Sequence, residues 1–498
     1  MKLNGKRIIY SLGIITLLFS CTQRQTSILT QIESLQNVGE FEQAESLISK
    51  YLEENPNADN SLRHSLFFEI ERGKRIINDY RLTREELAGS LSKKLVDFSD
   101  EEFKQWISEG RFDMLNVNGN ERFANPSVSN LFFRYPELKK RIRNYDPTSK
   151  QAQLTYAQAQ QLKMMHQSYP DPVKLPRNCY VRQMIEVKKD RIPGGENVSC
   201  WLPYPSIFQT QGNVQYISST FPPLWIADPT STIRSVYFES ELTEGEPLKF
   251  EIEYYYTAYA YYQEIDPQKV DYFSGNEAEY EIYTRETQPH EAFTSEMRQL
   301  TKEIVGSEQN PYLKGKKIYD WIADNIKYSY AREYSTLRNI SDYCLNNRYG
   351  DCGQQAILFI TLSRIAGVPA RWQSGFMTFP EDEAMHDWVE IYIKPYGWLP
   401  VDPYMGIFFT SMTADLTAEQ RREMREFYYG NIDNYRLVPN KGHNQLLYPP
   451  KEHFRSETVD FQRGEVEWAG GNLYFTDWRW GIWVKEIQMS DRSAASIK

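Results

Sequence analysis

The chain has 498 residues, which at about 100–200 residues per domain calls for more than one folded unit. Apolar residues make up 41% and charged residues 25%, with 26 Gly and 25 Pro, which excludes collagen-like, coiled-coil and wholly disordered chains. Asp and Glu number 67 against 57 Lys and Arg, a net charge of −10, so no overall basic field is present to hold a nucleic acid.

The first twenty residues have the pattern of an export signal. Lys2, Lys6 and Arg7 form a positive start, and the apolar run from Ile8 to Phe19 is too short to span a bilayer comfortably. Leu18-Phe19-Ser20-Cys21 resembles a bacterial lipobox, which predicts a lipoprotein signal peptide over 1–20 and acylation of Cys21; an ordinary secretory signal is the alternative. Several acyl chains on Cys21 would hold the chain firmly to a membrane. Thr22-Gln23-Arg24-Gln25 lacks the acidic cluster that often accompanies surface display in Bacteroidetes-like lipoproteins. The expected place is therefore the cell envelope, on the periplasmic face of the outer membrane.

Residues 21–110 read as a helical region. Phe41, Ala44, Leu47, Ile48, Tyr51 and Leu52 form an apolar stripe that Asn55-Pro56 ends. Gly39-Glu40-Phe41 resembles half of a tetratricopeptide unit, but one copy makes no array. Thr83 with Glu86, and Ser99 with Glu102, read as capping boxes. Residues 111–177 mix Asn, Pro and short helical runs such as Ala157–Met165 and receive no assignment.

From 178 to 285 the apolar period becomes two. Phe250, Ile252, Tyr254 and Tyr256 alternate with Lys249, Glu251, Glu253 and Tyr255, and turn clusters separate similar runs, which predicts a β-sandwich. Cys179 and Cys200 within it are either a disulfide or two buried thiols. Residues 286–410 return to helices, with Ile318, Trp321, Ile322 and Ile326 on one face, followed by strands. The segment 411–498, with Trp478, Trp480 and Trp483, reads as a strand-rich extension whose aromatic residues either pack inward or bind a ligand. The fold class expected is thus multidomain α+β.

The chemistry concentrates between 346 and 406. Gly350-Asp351-Cys352-Gly353 opens a helix that Gly367-Val368-Pro369 ends, so Cys352 falls in its first turn. Unpaired backbone N–H groups and the helix dipole there favour a thiolate, and the Cys352 N–H can receive an oxyanion. His386 begins a strand that carries Trp388 and Glu390, and Asp402 ends the next one. A hairpin of that length can set the carboxylate beside the imidazole, the pair a cysteine nucleophile needs.

These segments resemble the core of the transglutaminase-like superfamily, a papain-type cysteine fold. The Gly-x-Cys helix, its Arg364-to-Arg371 end with Gly367-Val368-Pro369-Ala370, the His386-x-Trp388-x-Glu390 strand, and Gly397-Trp398 with Asp402-Pro403 follow the family order over about 295–410. The resemblance implies a catalytic Cys352, His386 as base and acid, and Asp402 as orienter, with Trp388, Glu390 and Arg371 supporting the site. Trp321, Asn346 and Tyr349 lie upstream where a side-chain oxyanion donor could sit. Two functions follow: acyl transfer from a peptide or carboxamide, either to water (peptidase or amidase) or to an amine (crosslinking transglutaminase), with hydrolysis preferred, or a non-catalytic peptide- or glycan-binding lipoprotein. Protein, peptide or cell-wall peptide is the expected partner; no metal, no cofactor and no Asp-x-Asp-x-Asp-Gly calcium loop is indicated.

Overall fold

The computed structural model describes residues 28–169 and 171–488, so the export segment and Cys21 lie outside it. The chain forms two units, one running to Phe132 and including Glu137–Arg143, the other comprising Phe133–Pro136 and the chain from Asn144 onward.

In the first unit, helices α1 (28–37), α2 (Phe41–Glu54), α3 (Asn60–Asp79), α4 (Arg84–Lys94) and α5 (Asp100–Ser108) precede a hairpin of β1 (Met114–Val117) and β2 (Asn120–Phe123), then α6 (Ser127–Arg134), whose last two residues count with the second unit. The stripe on α2 buries Ala44 and Ile48 against Ile28, Ile32, Leu62 and Leu66. Thr83 and Glu86 form a complete capping box. Ser99 caps only one way, accepting from Glu102 N at 3.2 Å, because Arg141 takes the Glu102 carboxylate at 2.6 and 2.7 Å. Gly39, at φ +83°, admits no side chain: a Cβ there would lie 1.6 Å from Asn116 O.

The second unit begins with α7 (Lys150–Ser168), a single helix that takes in the short run at 157–165. It continues into β3 (Val173–Val187), β4 (Asn197–Pro203), β5 (Gln211–Ser219), β6 (Trp225–Ile226), β7 (Ser235–Glu241) and β8 (Leu248–Tyr262). Along β3, Cys179, Val181, Gln183, Ile185 and Val187 are buried while their neighbours are half-exposed, the period of a strand with one face on a core. Phe250, Ile252, Tyr254 and Tyr256 on β8 join that core, each worth roughly 1.5–3 kcal/mol of burial. Cys179 and Cys200 both lie in it as free thiols, so the disulfide alternative is not realised; they sit on strands of different sheets.

Next come α8 (Ala278–Tyr283), α9 (Ser295–Val305), α10 (Pro311–Asn325), β9 (Lys327–Tyr328), α11 (Ile340–Asn347), β10 (Tyr349–Gly350), α12 (Cys352–Ile365), β11 (Ala370–Phe379), β12 (Asp382–Ile393), β13 (Gly397–Val401), α13 (Pro403–Ser411), α14 (Ala418–Phe427) and β14 (Arg436–Asn440). α12 is buried from Cys352 to Arg364, which explains why its sequence is apolar all round rather than striped. It packs against a sheet of order β13-β12-β11-β14.

The extension from 411 is not an independent strand-rich segment. It opens with helical residues, and β14 completes the core sheet. Its last strands, β15 (Glu465–Trp468), β16 (Gly471–Leu473) and β17 (Trp478–Glu486), complete the sandwich, whose sheets run β16-β15-β4-β7-β6 and β17-β3-β8-β5. The sandwich read over 178–285 therefore begins earlier, at Val173, and draws three strands from the far end of the chain. Local periodicity cannot report such long-range pairing.

Candidate active site

Cys352 is the first residue of α12. Asp351 caps the helix, accepting Gln354 N at 3.0 Å, while Gln354 Oε1 accepts Asp351 N at 3.3 Å. Tyr334 Oη donates to the same Asp351 carboxyl at 2.8 Å. The N–H of Cys352 belongs to the first turn, whose donors have no helix carbonyl to meet. The sulfur is buried, and burial, then Asp387 and Asp351, push the thiol well above its usual range, while the Asp387 backbone N–H acts in the opposite direction. The helix start by itself thus does not deliver the thiolate expected from sequence; a base to take the thiol proton is required.

His386 stands on β12 opposite Gly375 of β11. Its Nε2 lies 2.8 Å from Asp402 Oδ2, and its ring stacks on Trp388, with centroids 5.6 Å apart at 22°. Burial lowers its affinity for a proton, Asp402 raises it, and Arg436 lowers it again. Asp402 leaves β13 to cap α13, with Oδ1 accepting Met405 N at 3.0 Å. Burial favours its neutral form, but His386 and Arg436 outweigh that and hold the carboxyl below its usual range.

Arg436, on β14, escaped the sequence reading. Its Nη1 donates to Asp402 Oδ2 at 2.8 Å, its Nη2 to Asp433 Oδ2 at 2.7 Å, and its guanidinium lies 5.0 Å from the Trp388 ring centre. The only local signal is the Asp433-x-x-Arg436 pairing, 34 residues beyond Asp402 in a stretch read as tail. Trp388 thus touches both the base and this cation. Glu390 accepts from Arg371 Nε at 2.7 Å and Gln373 Nε2 at 2.6 Å, and Arg371 lies 3.8 Å over Trp398. These residues brace the β11–β12 pair and do not line the cleft.

Asp387 is the residue between His386 and Trp388, a position to which the motif assigns no role. Strand alternation turns it, with Val389 and Ile391, toward α12. Cys352 Sγ lies 3.7 Å from Asp387 Oδ2, and Gln462 Nε2 donates to Oδ1 at 2.9 Å.

Cys352, His386 and Asp387 line one cleft of about 580 Å³. Its far wall comes from the extension, including Asp460, Gln462, Arg463, Phe475 and Trp480. Of the Trp cluster, Trp480 lines the cleft, Trp478 is buried in the sandwich, and Trp483 lies beneath Arg182 on the surface. The three upstream candidates for an oxyanion donor are elsewhere. Trp321 packs along α10 with Arg348 over it, Asn346 is exposed at the end of α11, and Tyr349 lies under Arg134. The phenols in the cleft are Tyr328, Tyr330, Tyr334 and Tyr404. Among the described residues no group of His, Cys, Asp and Glu is arranged to hold a metal.

Residues 298–403 match the model of the Transglutaminase-like superfamily, and this segment of the chain is a transglutaminase-like domain. Over 150 residues the chain is 27% identical to the uncharacterized protein YebA of Bacillus subtilis (strain 168), a match covering 26% of this chain and 20% of that protein. The chain therefore spans about a fifth of the length of this curated relative. Among solved structures it resembles a proposed cysteine protease from Cytophaga hutchinsonii, at 14% identity and a TM-score of 0.41, covering 64% of this chain and 93% of that one. It also resembles the periplasmic domain of TgpA from Pseudomonas aeruginosa, at 14% identity and a TM-score of 0.26, covering 48% and 91%.

Proposed function

We propose that this chain is a cysteine enzyme that cleaves peptide or carboxamide bonds through a thioester on Cys352, with water as the acceptor. The observation that carries this is the pairing of His386 Nε2 with Asp402 at 2.8 Å beside a helix-terminal cysteine on the same cleft. That pairing fixes the tautomer and leaves Nδ1 for the thiol proton. His386 takes that proton as sulfur attacks the carbonyl carbon, then gives it to the departing amine; water resolves the thioester with His386 again as base. The Cys352 N–H stabilises the oxyanion. A cleft of about 580 Å³ accommodates a short run of peptide.

We further place the enzyme at the cell envelope, held by acylated Cys21 on the periplasmic face of the outer membrane; the support is the export pattern and lipobox of residues 2–21. The test is to incubate the protein with a peptide and cell-wall fragment library, with and without a primary amine, and read adducts by mass spectrometry. An acyl adduct on Cys352 that water discharges is the expected result. Discharge by amine alone would make the enzyme a transamidase, and no adduct in any condition would favour a binding protein.

A further inference from the structure

The reaction proposed above uses three side chains and leaves a fourth polar group in contact with the sulfur. Asp387 is 2% exposed. Its Oδ2 is 3.7 Å from Cys352 Sγ and near the start of α12: a Cβ on Gly353 would lie 2.6 Å from it. Gln462 Nε2 fixes the other oxygen at 2.9 Å.

The charges around this carboxyl are unusual. Strand β11 contributes Ser374, directly opposite Asp387 in register, and Ser374 Oγ is bonded to Asp460. Helix α12 and its cap contribute Cys352 and Asp351. The segment after β14 contributes Asp460 and Gln462. His386, the neighbour on β12, directs Nε2 to Asp402. Among the described residues no Lys or Arg makes an ion pair with Asp387, whereas Asp402 has Arg436 and His386. A buried carboxyl without a cation, close to two further acids, keeps its proton. Burial and the nearby Asp460 and Asp351 push it well above the usual carboxylate range, against hydrogen bonds from Ser374 and Cys352 that act the other way.

We propose that Asp387 is a fourth catalytic residue: in the resting thiol Cys352 Sγ donates to its Oδ2, and once the thiol has lost its proton the carboxylic acid O–H donates to the sulfur and then to the oxygen of the tetrahedral intermediate. The proposal rests on the acyl-transfer reading of Cys352. As the Sγ–C bond forms, the carbonyl π pair moves onto oxygen. That oxygen accepts from the Cys352 N–H on one side and the Asp387 O–H on the other, and Asp387 keeps its proton. On collapse the C–N bond breaks and the amine leaves with the proton held on His386. This supplies the side-chain donor that Trp321, Asn346 and Tyr349, which do not line the cleft, do not supply. A neutral acid suits the place, because an ionised carboxylate there would oppose both the thiolate and the oxyanion.

The opposite charge states predict opposite signs. The rate of Cys352 alkylation by iodoacetamide at pH 7 is measured by peptide mass spectrometry on the folded full chain, with Cys179, Cys200 and Cys344 as internal references. Asp387→Ala, which removes the donor, slows Cys352 labelling at least tenfold. Asp387→Asn, whose amide keeps an acceptor for Gln462 and a donor for sulfur, restores the rate to within about threefold of wild type. If Asp387 were ionised, Asp387→Asn would remove a full negative charge beside the sulfur and speed labelling about a hundredfold or more. Acceleration of tenfold or more in Asp387→Asn overturns the proposal, as does wild-type labelling in Asp387→Ala. Should Asp387→Ala fail to fold, Asp387→Asn decides alone: a rate within threefold sustains the proposal, and tenfold acceleration or slowing overturns it. Failure of the acyl-transfer reading looks different, because Cys352 in the wild-type protein would then label no faster than the other three cysteines.

Discussion

Arg436 Nη1 and His386 Nε2 meet at one atom, Asp402 Oδ2, each at 2.8 Å. The carboxylate that orients the imidazole is therefore anchored from behind by a guanidinium, itself held to Asp433 and lying over Trp388. His386 and Arg436 together keep Asp402 ionised where burial alone would neutralise it.

Arg436→Met leaves the carboxylates of Asp402 and Asp433 buried with fewer partners. Breaking a buried pair from one side costs about 3–5 kcal/mol. Urea unfolding followed by circular dichroism should show a loss of unfolding free energy of that size; a loss under about 1 kcal/mol would mean that the guanidinium is dispensable.

His386→Ala removes the proton acceptor without removing a core hydrocarbon. Cys352 should then label with iodoacetamide at pH 7 no faster than Cys179, Cys200 or Cys344, with the far-ultraviolet spectrum unchanged. Asp402→Asn, which keeps the size but not the charge, should slow labelling by about 10–100-fold. Selective labelling that survives in His386→Ala would show that another group is the base.

Gly353→Ala tests the crowding over the helix start. Its Cβ would lie 2.1 Å from Tyr334 Oη and 2.6 Å from Asp387 Oδ2, so both groups must shift. Overpacking of this kind costs about 1–3 kcal/mol. The expected outcome is a folded protein with reduced melting temperature and at least tenfold slower turnover; unimpaired turnover would show that the positions of Tyr334 and Asp387 are unimportant.

Stability should rise as pH falls from 8 to 6.5. Burial, then Glu333 and Asp460, raise Glu457 to about 8, against Val459 N–H and Arg463, and burial raises Asp351 to about 6. A raised folded value means that the native state binds more protons than the unfolded chain, so stability is lost as pH climbs through that value. The gain over this window is about 1–2 kcal/mol. Below it, His290, lowered to about 4 by burial and then His443, works in the other direction. Scanning fluorimetry at both pH values measures the difference, and Glu457→Gln should diminish it. A melting temperature higher at pH 8 than at 6.5 contradicts this account.

Much of the core was readable from local order. Gly350 to Cys352 announces a capped helix, Gly367-Val368-Pro369 its end, and His386-x-Trp388-x-Glu390 a strand, because each obeys a short-range rule of dihedral or period. The apolar alternation of Phe250 to Tyr256 was legible for the same reason. Asp387 was in view but unreadable, since a carboxylate after a strand histidine looks solvated until α12 is laid against it.

By itself, then, the sequence determined the local elements, the helix-tip cysteine and the histidine–aspartate hairpin, all of which depend on contacts between near neighbours in the chain. Only the tertiary structure decided that Arg436 backs Asp402, that Gln462 pins Asp387 against the sulfur, and that β15, β16 and β17 close a sandwich begun nearly 300 residues earlier. Those relationships arise from burial and pairing between distant segments, and a charge's role in a dry site depends on which partners folding brings to it, not on its neighbours in sequence.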